Sequence, residues 1–185
     1  SWDTQYEGDA LPTASSPSWK VLEGTESWAS ASGGVLRIND TGTGSSDRIR
    51  WWRNWDATYT RGATILARAR CASYQASGSI KNLTIEDGKY YEDFAFLSDR
   101  VRANLSGTEW ALDGTQWHTY RITVQASQFK VYLDEMPTPI LIGNLPGATQ
   151  RTRIMFGSGS GPSQQDIFFD SLSAFSNGRV APPPA

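Results

Sequence analysis

One cysteine and one histidine are all that the 185-residue chain contains of either type. Cys71 therefore has no internal disulfide partner, and lone His118 excludes a metal cluster of several histidines. In the run TILARARC, Cys71 ends a strand-like segment, where a small buried thiol is expected rather than a reactive one. An excess of one charge is missing too: 17 Lys and Arg are scattered among 19 Asp and Glu, a formal net charge of -2. Without a basic field, nucleic acid is not an expected partner. No run of 18 or more apolar residues occurs, so membrane insertion is not expected, and no basic-then-apolar amino-terminal segment of the secretory kind is present. There is also no long apolar stripe at 3.6-residue spacing, which argues against a helical fold.

What the chain has instead is aromatic side chains. Eight Trp, seven Tyr and seven Phe make 12% of the residues, against only 19% charged. That balance suits an extracellular or cell-surface β-protein with aromatic surface. Short alternating runs separated by Gly, Ser, Asn and Asp predict strands over 18–24, 34–40, 48–53, 63–71, 79–87, 90–99, 100–105, 117–126, 128–135, 151–158 and 165–176. So many short strands predict an all-β, two-sheet antiparallel β-sandwich of the jelly-roll type. It is expected to form one domain over 1–177. The proline-rich GRVAPPPA (178–185) cannot continue a sheet and reads as a tail, or as the start of a linker to other modules of a longer chain. In EDGKY, Asp87 and Gly88 mark a hairpin turn.

Residues 47–55 read DRIRWWRNW, three arginines and three tryptophans in nine positions. Strand alternation divides them: if Ile49 and Trp51 face the core, then Arg48, Arg50 and Trp52 share the outer face as a basic-aromatic strip. Arg68 and Arg70 project together from another strand and could extend it. Such a strip suits a glycan, aromatic planes stacking on sugar rings while cations meet hydroxyls or carboxylates; the alternative is that these arginines only pair with surface acids.

The run WHTYRITVQASQFKVYLDE (117–135), with Tyr120, Ile122, Val124, Phe129, Val131 and Leu133 at core parity, resembles the hairpin of concanavalin A-like and laminin-G-like jelly rolls. NLTIEDGKYYEDFAFLSDRVRANL (82–105) and RIMFGSGSGPSQQDIFFDSLSAF (153–175) are similar to further strands of such domains. The resemblance implies carbohydrate recognition of the lectin or carbohydrate-binding-module kind, with an acidic polysaccharide as one candidate ligand. It equally allows a polysaccharide-degrading enzyme or a protein-binding adhesion domain. It also implies a structural calcium ion, for which Asp9 and Asp170 are the candidate ligands.

For a hydrolase, the adjacent acids Glu86-Asp87, Glu92-Asp93 and Asp134-Glu135 point to opposite strand faces and are poor pairs. For a lyase, Arg68, Arg70, Tyr90, Tyr91 and Arg102 supply suitable residue types, but His118 shares parity with core residues. Tyr90 stands with the arginines and Trp52 as a candidate ligand contact. Sequons at Asn39, Asn82 and Asn104 are acceptors only where the source glycosylates its exported proteins.

Overall fold

The structure, a computed structural model, describes residues 2–159 and 161–184. Among the described residues sixteen strands follow one another. They are β1 (Asp3–Tyr6), β2 (Lys20–Gly24), β3 (Ala29–Ser32), β4 (Val35–Asp40), β5 (Ile49–Asn54), β6 (Ala63–Gln75), β7 (Lys81–Glu86) and β8 (Tyr90–Phe96). Then come β9 (Arg100–Ala103), β10 (Thr108–Ala111), β11 (His118–Gln125), β12 (Gln128–Leu133), β13 (Leu141–Asn144), β14 (Gly147–Ala148), β15 (Arg153–Gly159) and β16 (Gln164–Phe175). The predicted strands are all present. The additional ones, β1, β3, β10, β13 and β14, have two to four residues each, too few for an alternation pattern to register.

The strands form a two-sheet antiparallel β-sandwich. The first sheet runs β13-β12-β11-β6-β16-β4-β3, with β1 added along β16, and the second runs β10-β9-β8-β7-β15-β5-β2, with β14 added on β8. Alternation decides what each sheet buries. In β6, Ala63, Ile65, Ala67 and Ala69 are buried while Leu66, Arg68 and Arg70 are only partly covered. In β16 the pattern holds until a bulge between Phe169 and Ser171 shifts the register against β6.

Between the sheets Phe156 is a hub. Its ring centroid lies 4.7 Å from Trp19 and 5.3 Å from each of Tyr6, Trp51 and Phe169. Each large side chain removed from water contributes roughly 1.5–3 kcal/mol, and each aromatic pair about 0.5–1.5 kcal/mol beyond that. A polar cross-tie also joins the sheets. Asn82 Nδ2 donates to Gln165 Oε1 at 2.7 Å and to the Gly157 carbonyl at 2.8 Å, and Ser158 Oγ donates to Gln165 Oε1 at 2.8 Å. Asn82 is wholly buried, so its sequon cannot carry a glycan in the folded chain. Cys71 lies beside this cross-tie, with burial holding its thiol up at about 11, as expected of a structural thiol.

The β11–β12 hairpin has the predicted parity, with Tyr120, Ile122, Val124, Phe129 and Val131 buried. Its two-residue turn places Ala126 (φ 49°) and Ser127 (φ 68°) in the left-handed region. Residues 178–182 do not leave the sandwich at once. Thr64 Oγ1 donates to the Gly178 carbonyl, Val180 N donates back to Thr64 Oγ1, Arg121 donates to the Val180 carbonyl, and Pro182 is buried. Proline cannot pair as a strand, but this docking needs only the carbonyls and one amide.

Candidate functional site

The side chains of the second sheet that point away from the core form the candidate site. Register sets their neighbours: Lys20, Trp52, Met155, Thr84 and Asp93 lie side by side across five strands, and Glu86, which lies opposite Tyr91, is met by the Arg153 side chain. A flat, solvated face would leave such residues open. Here Thr84 (1% exposed), Asp93 (4%), Glu86 (4%), Met155 (6%) and Arg50 (7%) are buried, so the face encloses its own floor.

Buried charge requires partners, and on this face they are present. Arg50 Nε donates to Glu23 Oε1 at 2.6 Å and Arg50 Nη1 to Thr84 Oγ1 at 3.2 Å, while Thr84 in turn donates to Asp93. Arg48 lies 3.4 Å from the other oxygen of Glu23, so one carboxylate holds both arginines. Arg153 Nε and Thr149 Oγ1 donate to the two oxygens of Glu86 at 2.6 and 2.7 Å. Two glycines make room: a Cβ on Gly159 would lie 2.5 Å from Arg50 Cδ, and one on Gly157 would lie 2.3 Å from the Ile49 carbonyl.

Trp52 is half-buried at one end of this floor. Lys20 Nζ lies 5.3 Å from its ring centroid and the Arg153 guanidinium 5.6 Å, which fixes the indole between two cations. A pocket of about 190 Å³ opens beside it, lined by Ser18, Lys20, Trp52, Arg53 and Asn54. A second, of about 290 Å³, closes the far end of the face, with Ile80, Ala95 and Leu97 below, Tyr74 as a wall, and Arg100, Arg102 and Glu109 at the rim. Four strand spacings separate β5 from β9, roughly 19 Å across the sheet.

The parity of DRIRWWRNW is as expected, with Ile49 and Trp51 wholly buried and Arg48, Arg50 and Trp52 on the other face, but the open strip is corrected: Arg50 is buried and both arginines pair with Glu23, the alternative of pairing with acids. The expected extension by Arg68 and Arg70 is corrected. They belong to β6 in the first sheet, and because Ala67 and Ala69 fill the core they project from the opposite side of the sandwich. Tyr90 is also off the face. It has core parity and packs edge-on to Tyr59 at 6.1 Å beneath Lys89, whereas its neighbour Tyr91 has the parity of Asp93.

The acidic pairs resolve individually. Glu92 is fully buried and accepts from the Leu105 and Ser106 amides, and Asp87 caps the hairpin by accepting from Lys89 N and Tyr90 N. Asp134 accepts from Thr119 N and faces His118 Nδ1 at 2.7 Å, while His118 Nε2 faces the Asp113 carbonyl at 2.8 Å. Both ring nitrogens of His118 are thereby engaged. Asp170 faces Arg68 at 3.3 Å, which already supplies the countercharge a cation would bring, and Asp9 is an exposed loop residue. Among the described residues, no three His, Cys, Asp or Glu side chains group closely enough to hold a metal ion. Lys20, Glu23, Thr84, Arg153 and Met155 are the residues of the face that the sequence did not single out, while Tyr91 and Asp93 were named only among lyase residue types and acidic pairs.

The fold and face together define a class: an antiparallel β-sandwich whose second sheet carries a polar, charge-paired outer surface with a tryptophan at one end. No family model matches the chain, and neither does any curated protein sequence. Solved structures share the fold. Botulinum neurotoxin type C, which interacts with two ganglioside molecules, aligns with a TM-score of 0.63 at 12% identity over 97% of this chain and 48% of that one. An uncharacterised protein from Mycobacterium paratuberculosis gives a TM-score of 0.60 at 12% identity over 95% of this chain and 99% of the other. The cellulose-induced protein Cip1 gives 0.60 at 12% identity, covering 90% and 94% of the two chains. The chain thus spans about half the length of the neurotoxin chain, and the likeness is one of fold.

Proposed function

We propose that the chain recognises carbohydrate without chemistry, through the outer face of the second sheet. The observation that carries this reading is Trp52, half-buried and held between Lys20 and Arg153 beside a polar floor whose groups are already positioned. A fixed indole offers an apolar plane to a sugar ring with little conformational entropy left to lose. On the same face the exposed Lys20 and the partly exposed Tyr91 offer hydroxyl partners, while the buried Thr84, Glu86 and Asp93 tie together the strands beneath. The charges on this face are largely paired with one another, which favours a neutral glycan here. Interaction with ganglioside by the neurotoxin chain of the same fold supports glycan binding in general terms.

The carboxylates bear on the enzyme alternative. A glycoside hydrolase needs a proton donor and a nucleophile or base free to meet substrate, yet Glu23 is held by two arginines, Glu86 by Arg153 and Thr149, and Asp93 by Thr84. These contacts favour binding over turnover. Electrophoresis through gels containing soluble polysaccharides tests the reading. Retardation by a neutral glycan is expected, with loss of retardation in Trp52→Ala and no new reducing ends or unsaturated products on prolonged incubation. Product formation, or undiminished retardation of Trp52→Ala, overturns it.

A further inference from the structure

The outer face of the first sheet carries a different arrangement. Register places Arg37, Phe168 and Arg70 side by side on β4, β16 and β6. The Arg70 guanidinium lies 3.9 Å from the Phe168 ring centroid and 5.6 Å from that of Trp117. Arg37 shares Phe168 at 5.3 Å, and Arg68 shares Trp117 at 5.4 Å. Arg37 is paired in bidentate fashion with Asp166, both contacts 2.9 Å, and Arg68 faces Asp170 at 3.3 Å. Arg70 has no ion pair or hydrogen bond among the described residues.

We propose that this row binds an acidic polysaccharide, a carboxylate or sulfate group of which is received by Arg70. Three arginines face two aspartates, so one positive charge is left over, and it is the one clamped between rings. A guanidinium fork matches a carboxylate or sulfate in bidentate geometry, and a plane already held by two aromatic faces loses little freedom on binding. The flanking pairs are exposed, with Arg37 46% and Arg68 42% accessible, and exposed ion pairs are weak. Further anions along a polymer can therefore compete for Arg37 and Arg68, and Arg37 and Arg70, two strands apart, are spaced by roughly 10 Å. Nucleic acid fits less well. Acidic residues outnumber basic ones over the chain, so no extended basic field is available to a phosphate backbone.

This site is on the opposite side of the sandwich from Trp52 and does not rest on the reading given to that face. The test is affinity electrophoresis in gels containing polygalacturonate or dextran sulfate, with dextran as the uncharged control. Both polyanions are expected to retard the chain, less so as salt rises. Arg70→Gln should weaken that binding roughly tenfold or more, Arg70→Lys should fall between, and Arg151→Gln, the loss of an exposed arginine outside this row, should match the unmodified chain. Asp170→Asn, which frees Arg68, should strengthen binding a few-fold, a gain that misfolding cannot mimic. Absence of retardation by both polyanions, equal retardation of Arg70→Gln, or equal retention by single-stranded DNA or phosphatidylserine vesicles overturns the proposal.

Discussion

Arg50→Ala probes whether the floor of the second sheet is held by its ion pair. Arg50 is 7% exposed and contacts Glu23 at 2.6 Å. Removing one partner of a buried pair costs about 3–5 kcal/mol because the other charge is left buried. Glu23 is less enclosed, at 23% side-chain exposure, and keeps Arg48 at 3.4 Å. The expected loss is therefore about 2–3 kcal/mol, between the buried and the exposed cases. For a chain of this size each kcal/mol moves Tm by about 2–4 °C, which gives a fall of roughly 4–12 °C by calorimetry. Glu23→Met combined with Arg50→Met removes both enclosed charges, leaving only Arg48, 35% exposed, without its carboxylate, and should recover to within about 1 kcal/mol of the unmodified chain. A double-mutant cycle in which the two single losses simply add would refute the reasoning, since the groups would then not act as a unit.

Burial raises the Asp40 carboxyl to about 6. The folded chain thus holds that proton more tightly than the unfolded chain, so this contribution is fully present below about pH 4 and lost as pH rises through about 6. Asp40→Asn should accordingly raise Tm near pH 7.5, by roughly 1–2 kcal/mol of stability, and have little effect near pH 4; an equal effect at both would contradict this. Ser127→Gly relieves a left-handed backbone (φ 68°) and should raise the urea midpoint, by about 0.5–1 kcal/mol after glycine's extra freedom in the unfolded chain is deducted. A lower midpoint would count against the turn. Glu92→Gln should cost about 2–3 kcal/mol, since a carboxylate accepting three amide hydrogens is replaced by a group with one acceptor. Hydrogen exchange at the Leu105 and Ser106 amides should quicken, and unchanged protection would argue that Glu92 does not cap that turn.

Alternation made the sandwich and the face of each strand legible: Trp51 inward and Trp52 outward follow from period two alone. What alternation cannot supply is which strands become neighbours. Arg50 and Arg68 lie 18 positions apart on strands with similar patterns, yet one joins the second sheet and the other the first. Lys20, Arg153 and Met155 had readable parity too, but their meeting at Trp52 depends on β2, β5 and β15 pairing across more than 130 residues. The same long-range register made Glu23 the partner of Arg50. Tyr90 and Tyr91 turned on a single residue of parity, which two adjacent tyrosines at a strand start leave open.

We propose the outer face of the second sheet as the glycan-binding surface. Its most direct test is ¹H–¹⁵N chemical-shift mapping on titration with oligosaccharides of whichever neutral polysaccharide retards the chain most. The largest shifts are expected at the Trp52 indole N–H and at amides of β5, β15, β7 and β8. Shifts confined to the loops or to the first sheet, with the Trp52 indole unmoved, would contradict it.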